Sequence, residues 1–425
     1  MGEYSKALSY HEQTLELQLK TLGPNHPYVA TTYNNLGLVY QHMGDYSKAL
    51  SYHEQTLELQ LKTLGPNHPS VATTYTNLGN DYYQMGDYSK ALSYHEQTLE
   101  LQLKTLGPNH PSVAMTYNNL GRVYSDMDDC SKVYQHMGDY SKALSYSEKA
   151  LELQLKTLGP NHPSVATTYN TLGNIYCQMS DCSKALSYYE KALELELKTL
   201  GPNHPSVATT YNSLGYVYYQ MGDYSKALSY HEQTLELQLK TLGPNHPSVA
   251  TTYTSLGNDY YQMGDYSKAL SYSEKTLELK LKTVGLNHPS VATTYNNLGN
   301  DYYHMGDYAK ALSYSEKALE LQLKTLGPNH PSVATTYGDL GLIYQHMGDY
   351  SKALSYYEQT LELRLQTLGP NHPSVATTYS DLGLIYHHMG DYSKALSYSE
   401  KALELQLKTV GPTHPSVATT YRRSL

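Results

Sequence analysis

Twenty histidines are the residues of this chain whose number and regular spacing could support metal or catalytic chemistry. Imidazole nitrogens are common zinc ligands and common general bases. Ten of the histidines hold the same place in a recurring Asn-His-Pro segment: His26, His68, His110, His162, His204, His246, His288, His330, His372 and His414 (Thr-His-Pro at the last). The proline that follows suits the first position of a helix. We therefore predict that these histidines cap or pack against the starts of helices.

Most of the other ten histidines also recur at repeat positions. His11, His53, His95 and His231 take an aromatic position that holds serine or tyrosine in other copies. Three more form a column with one member per copy: His304, His346 and His388. Helices about 10 Å apart would keep these imidazoles too far apart to share a metal at bond lengths of about 2 Å. The sequence therefore predicts no metal site and no cofactor.

Other chemistry has little support in the sequence. Cys130, Cys177 and Cys182 form no paired framework, and we expect free thiols in a reducing cytoplasm. There is no nucleophile elbow, phosphate loop or Cys–His pairing, so an enzyme is not predicted. The net charge of −9 comes with interspersed Lys and Glu, which disfavours a nucleic-acid surface. No apolar stretch approaches the roughly 20 residues that span a bilayer, so no membrane association is predicted.

The elements that position these residues repeat every 42 residues, apart from one step of 52 between Gly107 and Gly159. In one copy, Pro69 begins a helix whose larger apolar residues recur at steps of three and four. Gly86 supplies a left-handed end to that helix, and Asp87 caps a second helix that runs to about residue 106. One helix pair cannot bury its apolar face alone, so neighbouring copies must stack.

The framework of each copy resembles the tetratricopeptide repeat (TPR), and these residues carry the likeness: Tyr75, Leu78, Gly79, Tyr82, Gly86, Asp87, Tyr88, Ala91 and Tyr94. The unit is eight residues longer than the usual 34 and is similar to the repeats of kinesin light chains and nephrocystin-type proteins. The resemblance implies an all-α fold: a right-handed solenoid of antiparallel helix pairs, or TPR superhelix. We expect a single array over residues 1–425 with about nine pairs.

Three stretches depart from this regularity. Ten extra residues near 123–138 repeat a neighbouring segment, and 10 residues do not complete whole helical turns. We therefore expect a bulge, a short extra helix or a kink between residues 124 and 138. Residues 1–22 and 415–425 read as half-repeats, which favours a fragment of a longer protein, or ends that pair with something else.

The resemblance also implies a binding surface, because in this family the first helices line the concave face. Their amide side chains offer donors and acceptors to an extended peptide, and their tyrosines add contact area. The predicted peptide-binding residues are Asn34, Leu38, His42, Thr76, Asn80, Tyr83, Gln84, Asn170, Asn174, Gln178, Asn212, Tyr216, Tyr219, Asn258, Tyr261, Asn296, Asn300, Tyr303, His304, Leu342, His346, Leu384 and His388.

This surface differs between copies at two adjacent positions. Central copies carry polar pairs: Asn80-Asp81, Asn258-Asp259 and Asn300-Asp301. Copies nearer the ends carry apolar pairs: Leu38-Val39, Leu342-Ile343 and Leu384-Ile385. We expect a polar track in the middle of the array and an apolar pocket in the last two repeats.

Three functions are compatible with the sequence. The first is a scaffold or adaptor that binds extended peptide segments of partner proteins. The second is a regulatory TPR fragment of a larger signalling protein, and the third is a structural solenoid that associates with itself end to end. No heptad coiled coil precedes the repeats, so a motor subunit is not predicted. The identity of the partner stays open.

Overall fold

The computed structural model of the chain describes residues 2–130, 137–409, 411 and 417. The chain divides into two compact units, residues 1–221 and 222–425. Every regular element in the described residues is an α-helix. The predicted all-α fold of helix pairs is therefore confirmed, whereas one continuous array across both units stays a prediction.

Unit 1 contains ten helices over its described residues: α1 (Gly2–Thr21), α2 (Pro27–His42), α3 (Tyr46–Thr63), α4 (Pro69–Gln84), α5 (Tyr88–Thr105), α6 (Pro111–Cys130), α7 (Met137–Thr157), α8 (Pro163–Gln178), α9 (Cys182–Thr199) and α10 (Pro205–Gln220). From α2 onward, even-numbered helices are the first helices of repeats, and odd-numbered helices are the second helices.

Unit 2 contains nine helices within its described part: α11 (Tyr224–Thr241), α12 (Pro247–Gln262), α13 (Tyr266–Thr283), α14 (Pro289–His304), α15 (Tyr308–Thr325), α16 (Pro331–His346), α17 (Tyr350–Leu368), α18 (Pro373–His388) and α19 (Tyr392–Thr409). None of the helices described in either unit is both long enough and apolar enough to cross a bilayer.

The recurrent histidines cap the first helices, as predicted. Nδ1 of His68 accepts the backbone N–H of Ser70 at 3.2 Å, and Pro69 fills the first helical position. The same bond recurs at His26, His110, His162, His204, His246, His288, His330 and His372. His414 lies outside the described residues. These imidazoles are therefore occupied in holding helix starts.

The turn between the two helices of a pair also forms as predicted. Gly86 has a φ of 79°, and the Asp87 carboxylate accepts the backbone N–H of Lys90 at 3.2 Å. Glycine takes this left-handed conformation without the Cβ clash that other residues meet. One turn lacks the glycine: Ser180 has a φ of 61°, alone among the described non-glycine residues in being positive.

We expect Ser180→Gly to raise the free energy of unfolding by about 1 kcal/mol, because it removes a left-handed strain of about that size. Urea unfolding followed by circular dichroism measures the change. Gly86→Ser, made at the aligned turn, serves as the inverse control and should lower stability by a similar amount. Equal stability of the Ser180→Gly variant and the parent chain would contradict the strain.

Neighbouring repeats stack through small apolar clusters. Val71 and Ala72 of α4 are buried with Leu101 of α5, and Leu57 of the preceding helix α3 packs against them. Within the pair, Tyr82 and Tyr94 stack with ring centroids 5.6 Å apart. The same pattern recurs along the chain. Each first helix in these clusters is thus held between two second helices of its own unit.

The predicted irregular stretches are partly described. Helix α6 has 20 residues, whereas the other first helices have 16 in the described chain. The inserted residues therefore lengthen this helix at its C-terminal end. The rest of the expected bulge or kink, at residues 131–136, lies outside the described residues, as does the half-repeat at 415–425 apart from residue 417.

Candidate functional site

The structure places all the predicted peptide-binding residues at the surface or partly below it. Eight are exposed: His42, Gln84, Asn174, Tyr216, Asn258, His304, His346 and His388. The others are half-buried: Asn34, Leu38, Thr76, Asn80, Tyr83, Asn170, Gln178, Asn212, Tyr219, Tyr261, Asn296, Asn300, Tyr303, Leu342 and Leu384. Exposure alone therefore leaves all of them able to contact a partner.

Several of the predicted amides already bond to neighbouring repeats. Asn170 Nδ2 donates to Thr210 Oγ1 at 2.9 Å and to Glu196 Oε1 at 3.0 Å. Asn296 Nδ2 donates to Thr336 Oγ1 at 2.8 Å in the same way. These side chains tie one repeat to the next, so part of their donor capacity is used within the solenoid.

The predicted polar track is wrong for the second residue of each pair. Asp81 and Asp259 are 0% exposed, and Asp301 is 2% exposed. The apolar counterparts in other copies are also buried: Val39, Ile343 and Ile385. These positions face the preceding second helix rather than solvent. Only the first residue of each pair, such as Asn80, reaches the surface.

Each buried aspartate has a polar partner on the preceding second helix. His53 Nδ1 lies 2.5 Å from Asp81 Oδ2, and His231 Nδ1 lies 2.6 Å from Asp259 Oδ2. Asp301 instead accepts a bond from Ser273 Oγ at 2.7 Å. Burial raises the pKa of Asp301 to about 6, because the serine offsets desolvation only in part.

One histidine at this position has no such partner. Val123 stands where an aspartate would face His95, and both ring nitrogens of His95 are buried without a hydrogen bond in the described structure. Burial lowers the pKa of His95 to about 4, with a further contribution from the positive charge of Arg122. His53 and His231 therefore have a buried carboxylate partner, whereas His95 has none, because the facing residue on the next helix is aspartate in the first two cases and valine in the third.

Four predicted binding residues come together in a cavity of about 790 Å³ in unit 1: Asn174, Gln178, Asn212 and Tyr216. The cavity is also lined by Asp126, Tyr140, Cys177, Ser180, Cys182, Tyr189, Ser213 and Gln220. Its volume lies within the roughly 300–1,000 Å³ of small-ligand pockets. It spans the first helices α6, α8 and α10 together with the starts of α7 and α9. We therefore take it as the candidate site.

Hydrogen bonds within the cavity wall fix most of the polar groups. Tyr189 Oη donates to Asn174 Oδ1 at 2.5 Å, and Gln220 Nε2 donates to the Tyr216 hydroxyl at 2.7 Å. Asn212 Oδ1 is different, because it is buried and has no hydrogen-bond partner in the described structure. The cavity wall thus includes one buried acceptor whose lost hydration is not compensated.

The charge in the cavity comes from Asp126, the one acidic side chain among its described lining residues. The Tyr83 hydroxyl donates to this carboxylate. The guanidinium of Arg122 lies 4.3 Å from the centroid of the Tyr83 ring. Burial, together with that hydrogen bond, raises the pKa of the Tyr83 phenol, so the phenol stays protonated as a donor. Asp126 is not among the binding residues predicted from the sequence, although it occupies the same repeat position as Gln84 and Gln178.

The predicted histidine column in unit 2 packs on tyrosines. His304 stacks on Tyr266 with centroids 4.7 Å apart, and His388 stacks on Tyr350 at 5.0 Å. Over residues 2–130 and 137–409, no three His, Cys, Asp or Glu side chains gather as metal ligands. The column therefore forms aromatic contacts between repeats.

Comparison with known proteins bears on the fold. A profile of the tetratricopeptide repeat matches residues 1–62, 28–104, 90–133, 131–196, 175–240, 206–282, 290–366, 340–408 and 374–423. No curated protein sequence matches the chain. Among solved structures, a candidate kinesin light chain with nearly identical TPR-like repeats from Podosopora anserina is 29% identical, covers 48% of this chain and 98% of its own, and has a TM-score of 0.42.

Two further structures are similar. BtubC (BKLC) from P. vanneervenii is 22% identical, with coverage of 56% of this chain and 92% of its own and a TM-score of 0.45. The apo form of RapI is 16% identical, with coverage of 83% and 96% and a TM-score of 0.59, which supports the fold alone. Because the windows of the repeat profile together match nearly every residue, the chain belongs to the tetratricopeptide-repeat family.

Proposed function

We propose that the chain is a cytoplasmic scaffold without catalytic activity that binds an extended peptide segment of a partner protein. Tetratricopeptide repeats typically serve protein–protein interaction. The observation that carries the proposal is the cavity in unit 1, which gathers Asn174, Gln178, Asn212 and Tyr216 from two first helices. The peptide lies across these helices and places one side chain in the cavity.

The chemistry of the cavity favours a side chain with N–H donors. Asp126 offers a carboxylate, and Asn212 Oδ1 is a buried acceptor without a partner. An arginine or lysine side chain would pair with the Asp126 carboxylate and could also lie against the exposed Tyr216 ring. We therefore expect ligands with a basic residue at one fixed position.

The exposed amides outside the cavity complete the proposed site in unit 1. Asn80 and Gln84 of α4 are partly or fully exposed. Amide side chains can bond both the N–H and the C=O of an extended backbone without sequence preference. The predicted residues of unit 2 would form a separate surface of the same kind, with Asn258 and Asn300 in the same position as Asn80. In unit 2 the repeat position of Asp126 holds Gln262 or a histidine, so we expect that surface to bind other segments without the preference for a basic residue.

A peptide-array screen of the purified chain tests this function. The triple variant Asn212→Ala, Tyr216→Ala, Gln220→Ala clears one face of α10, and we expect peptides with a basic residue to bind at least about tenfold more weakly, a loss of about 1.4 kcal/mol. The matched control clears the aligned face of α12: Thr254→Ala, Asn258→Ala, Gln262→Ala. Circular dichroism checks that both variants fold.

Asp126→Asn separates charge from shape in the same screen. This variant keeps the size of the side chain but removes its charge, so the preference for arginine and lysine should weaken while the remaining contacts persist. Absence of any bound peptide, or equal binding by the parent chain and the α10 triple variant, would contradict the proposed site. Loss of binding in the α12 control alone would move the site to unit 2.

A further inference from the structure

Two cysteines stand on either side of the turn that joins α8 and α9. Cys177 lies near the end of α8, and Cys182 is the first residue of α9. Both are free thiols, both are half-buried, and both line the cavity of unit 1. The peptide-binding proposal assigns no role to them, because its contacts come from amides, tyrosines and Asp126.

The aligned residues in other repeats show how side chains at these two positions meet. Three repeats hold tyrosines there whose rings contact each other: Tyr83–Tyr88 at 5.7 Å, Tyr261–Tyr266 at 5.4 Å and Tyr303–Tyr308 at 5.6 Å between centroids. In the α8–α9 repeat both positions are cysteine. In this repeat two thiols stand in place of the contacting rings, and both line the cavity.

The backbone of the turn keeps the two cysteines near each other. Ser180 N–H donates to the Cys177 carbonyl at 3.0 Å, and Asp181 N–H donates to the Tyr176 carbonyl at 2.9 Å. These two bonds fold the start of α9 back against the last turn of α8. Burial raises the pKa of the Cys177 thiol, and the nearby Cys182 sulfur raises it further.

A structural zinc site needs four ligands and a catalytic zinc site at least three. The described part of the chain brings no third His, Cys, Asp or Glu to this pair as a ligand. Two thiols without further ligands suit reversible oxidation better than coordination of a divalent metal.

We propose that Cys177 and Cys182 are a redox-active thiol pair that low-molecular-weight disulfides, such as oxidised glutathione, convert reversibly into an intramolecular disulfide at the cavity wall. The inference goes beyond the proposed function and does not depend on peptide binding.

The exchange proceeds in two steps that balance. The Cys182 thiolate attacks one sulfur of oxidised glutathione, forms a mixed disulfide and releases one glutathione thiolate. The Cys177 sulfur, after losing its proton, attacks the Cys182 sulfur of the mixed disulfide and releases the second glutathione. Two electrons pass from the protein to the glutathione disulfide, and two protons end on the released thiols. Cys177 resolves because its raised pKa leaves little of it as thiolate.

The test uses the full chain with Cys130→Ser, so that only the proposed pair can oxidise. The protein is equilibrated with mixtures of oxidised and reduced glutathione, its free thiols are alkylated, and its peptides are weighed by mass spectrometry. The same titration in urea measures the pair in the unfolded chain. We expect the folded chain to form the Cys177–Cys182 disulfide with an effective concentration at least about tenfold above that of the unfolded chain.

The double variant Cys177→Tyr, Cys182→Tyr restores the tyrosine pair of the other repeats and serves as the folded control without the thiols. It should show no oxidation and an unchanged helical circular dichroism spectrum. Glutathione mixed disulfides that never resolve, or a folded chain that forms the internal disulfide no better than the unfolded chain, would overturn the proposal.

Discussion

Replacing Asp81 by isoleucine is expected to lower the free energy of unfolding of unit 1 by about 3–5 kcal/mol. The change leaves His53 buried at 0% exposure without its carboxylate partner. It also removes the acceptor for Gln41 Nε2, which now bonds Asp81 Oδ1 at 3.0 Å. An uncompensated buried polar group costs more than the apolar packing of isoleucine returns.

A second substitution should restore most of the loss. The chain already contains an apolar version of this contact: Tyr357 on α17, followed by Ile385 on α18, with the tyrosine hydroxyl donating to Gln345 Oε1 at 3.2 Å. His53→Tyr combined with Asp81→Ile reproduces it, because Gln41 stands where Gln345 does. Replacing both members of a buried polar pair by a packed alternative is often close to neutral.

Urea unfolding of the parent, both single variants and the double variant measures this cycle. We expect a coupling free energy of at least about 2 kcal/mol between the two positions, well above the few tenths found for independent sites. Because repeat arrays can unfold in stages, hydrogen exchange of α3 and α4 locates the change. Additive losses from the two single variants would show that the pair does not hold these repeats together.

The helices and their caps were predictable because local chemistry decides them. Pro69, Gly86 and Asp87 act within their own turns, and the same letters recur in each copy. The burial of Asp81 was missed because carboxylates are rarely buried and its neighbour Asn80 is exposed. A signal did exist, since His53 precedes Asp81 by 28 residues and His231 precedes Asp259 by the same number.

The cavity could be predicted only in part. Its amides and Tyr216 follow from the columns of the first helices, and Asp126 could have been read from the same column. Cys182 and Tyr140 belong to second helices, where no binding residue was sought. The hydrogen bond from Asn170 to the next repeat needs Thr210, which lies 40 residues further along the chain. A short sequence motif does not predict side-chain geometry over that separation.

His95→Tyr is expected to raise the free energy of unfolding of unit 1 at pH 7 by about 1–3 kcal/mol, because it removes two buried nitrogens without partners. The surroundings already suit tyrosine. Tyr189 packs on Gly173 in the aligned place, donates to Asn174 and is followed by Val217. The corresponding residues around His95 are Gly79, Asn80 and Val123.

The same variant should change the response to acid. The pKa of His95 is about 4 in the folded chain, whereas that of an ordinary histidine is 6.5. Between pH 4 and 6.5, residue 95 is therefore protonated in the unfolded chain and neutral in the folded chain. The stability of unit 1 therefore falls as pH is lowered from about 6.5 to 4, by up to about 3 kcal/mol for this one group. Asp301, whose pKa is raised to about 6, acts with the opposite sign, since it stabilises unit 2 as pH falls through that range.

Urea unfolding of the parent and the His95→Tyr variant at pH 7, 5.5 and 4.5 isolates the contribution of His95 to stability, because every other group that titrates in this range is common to both chains. The advantage of the variant should grow as pH falls, since the penalty for protonating His95 is absent from it. A constant difference across this range would mean that His95 already has a partner for its charge.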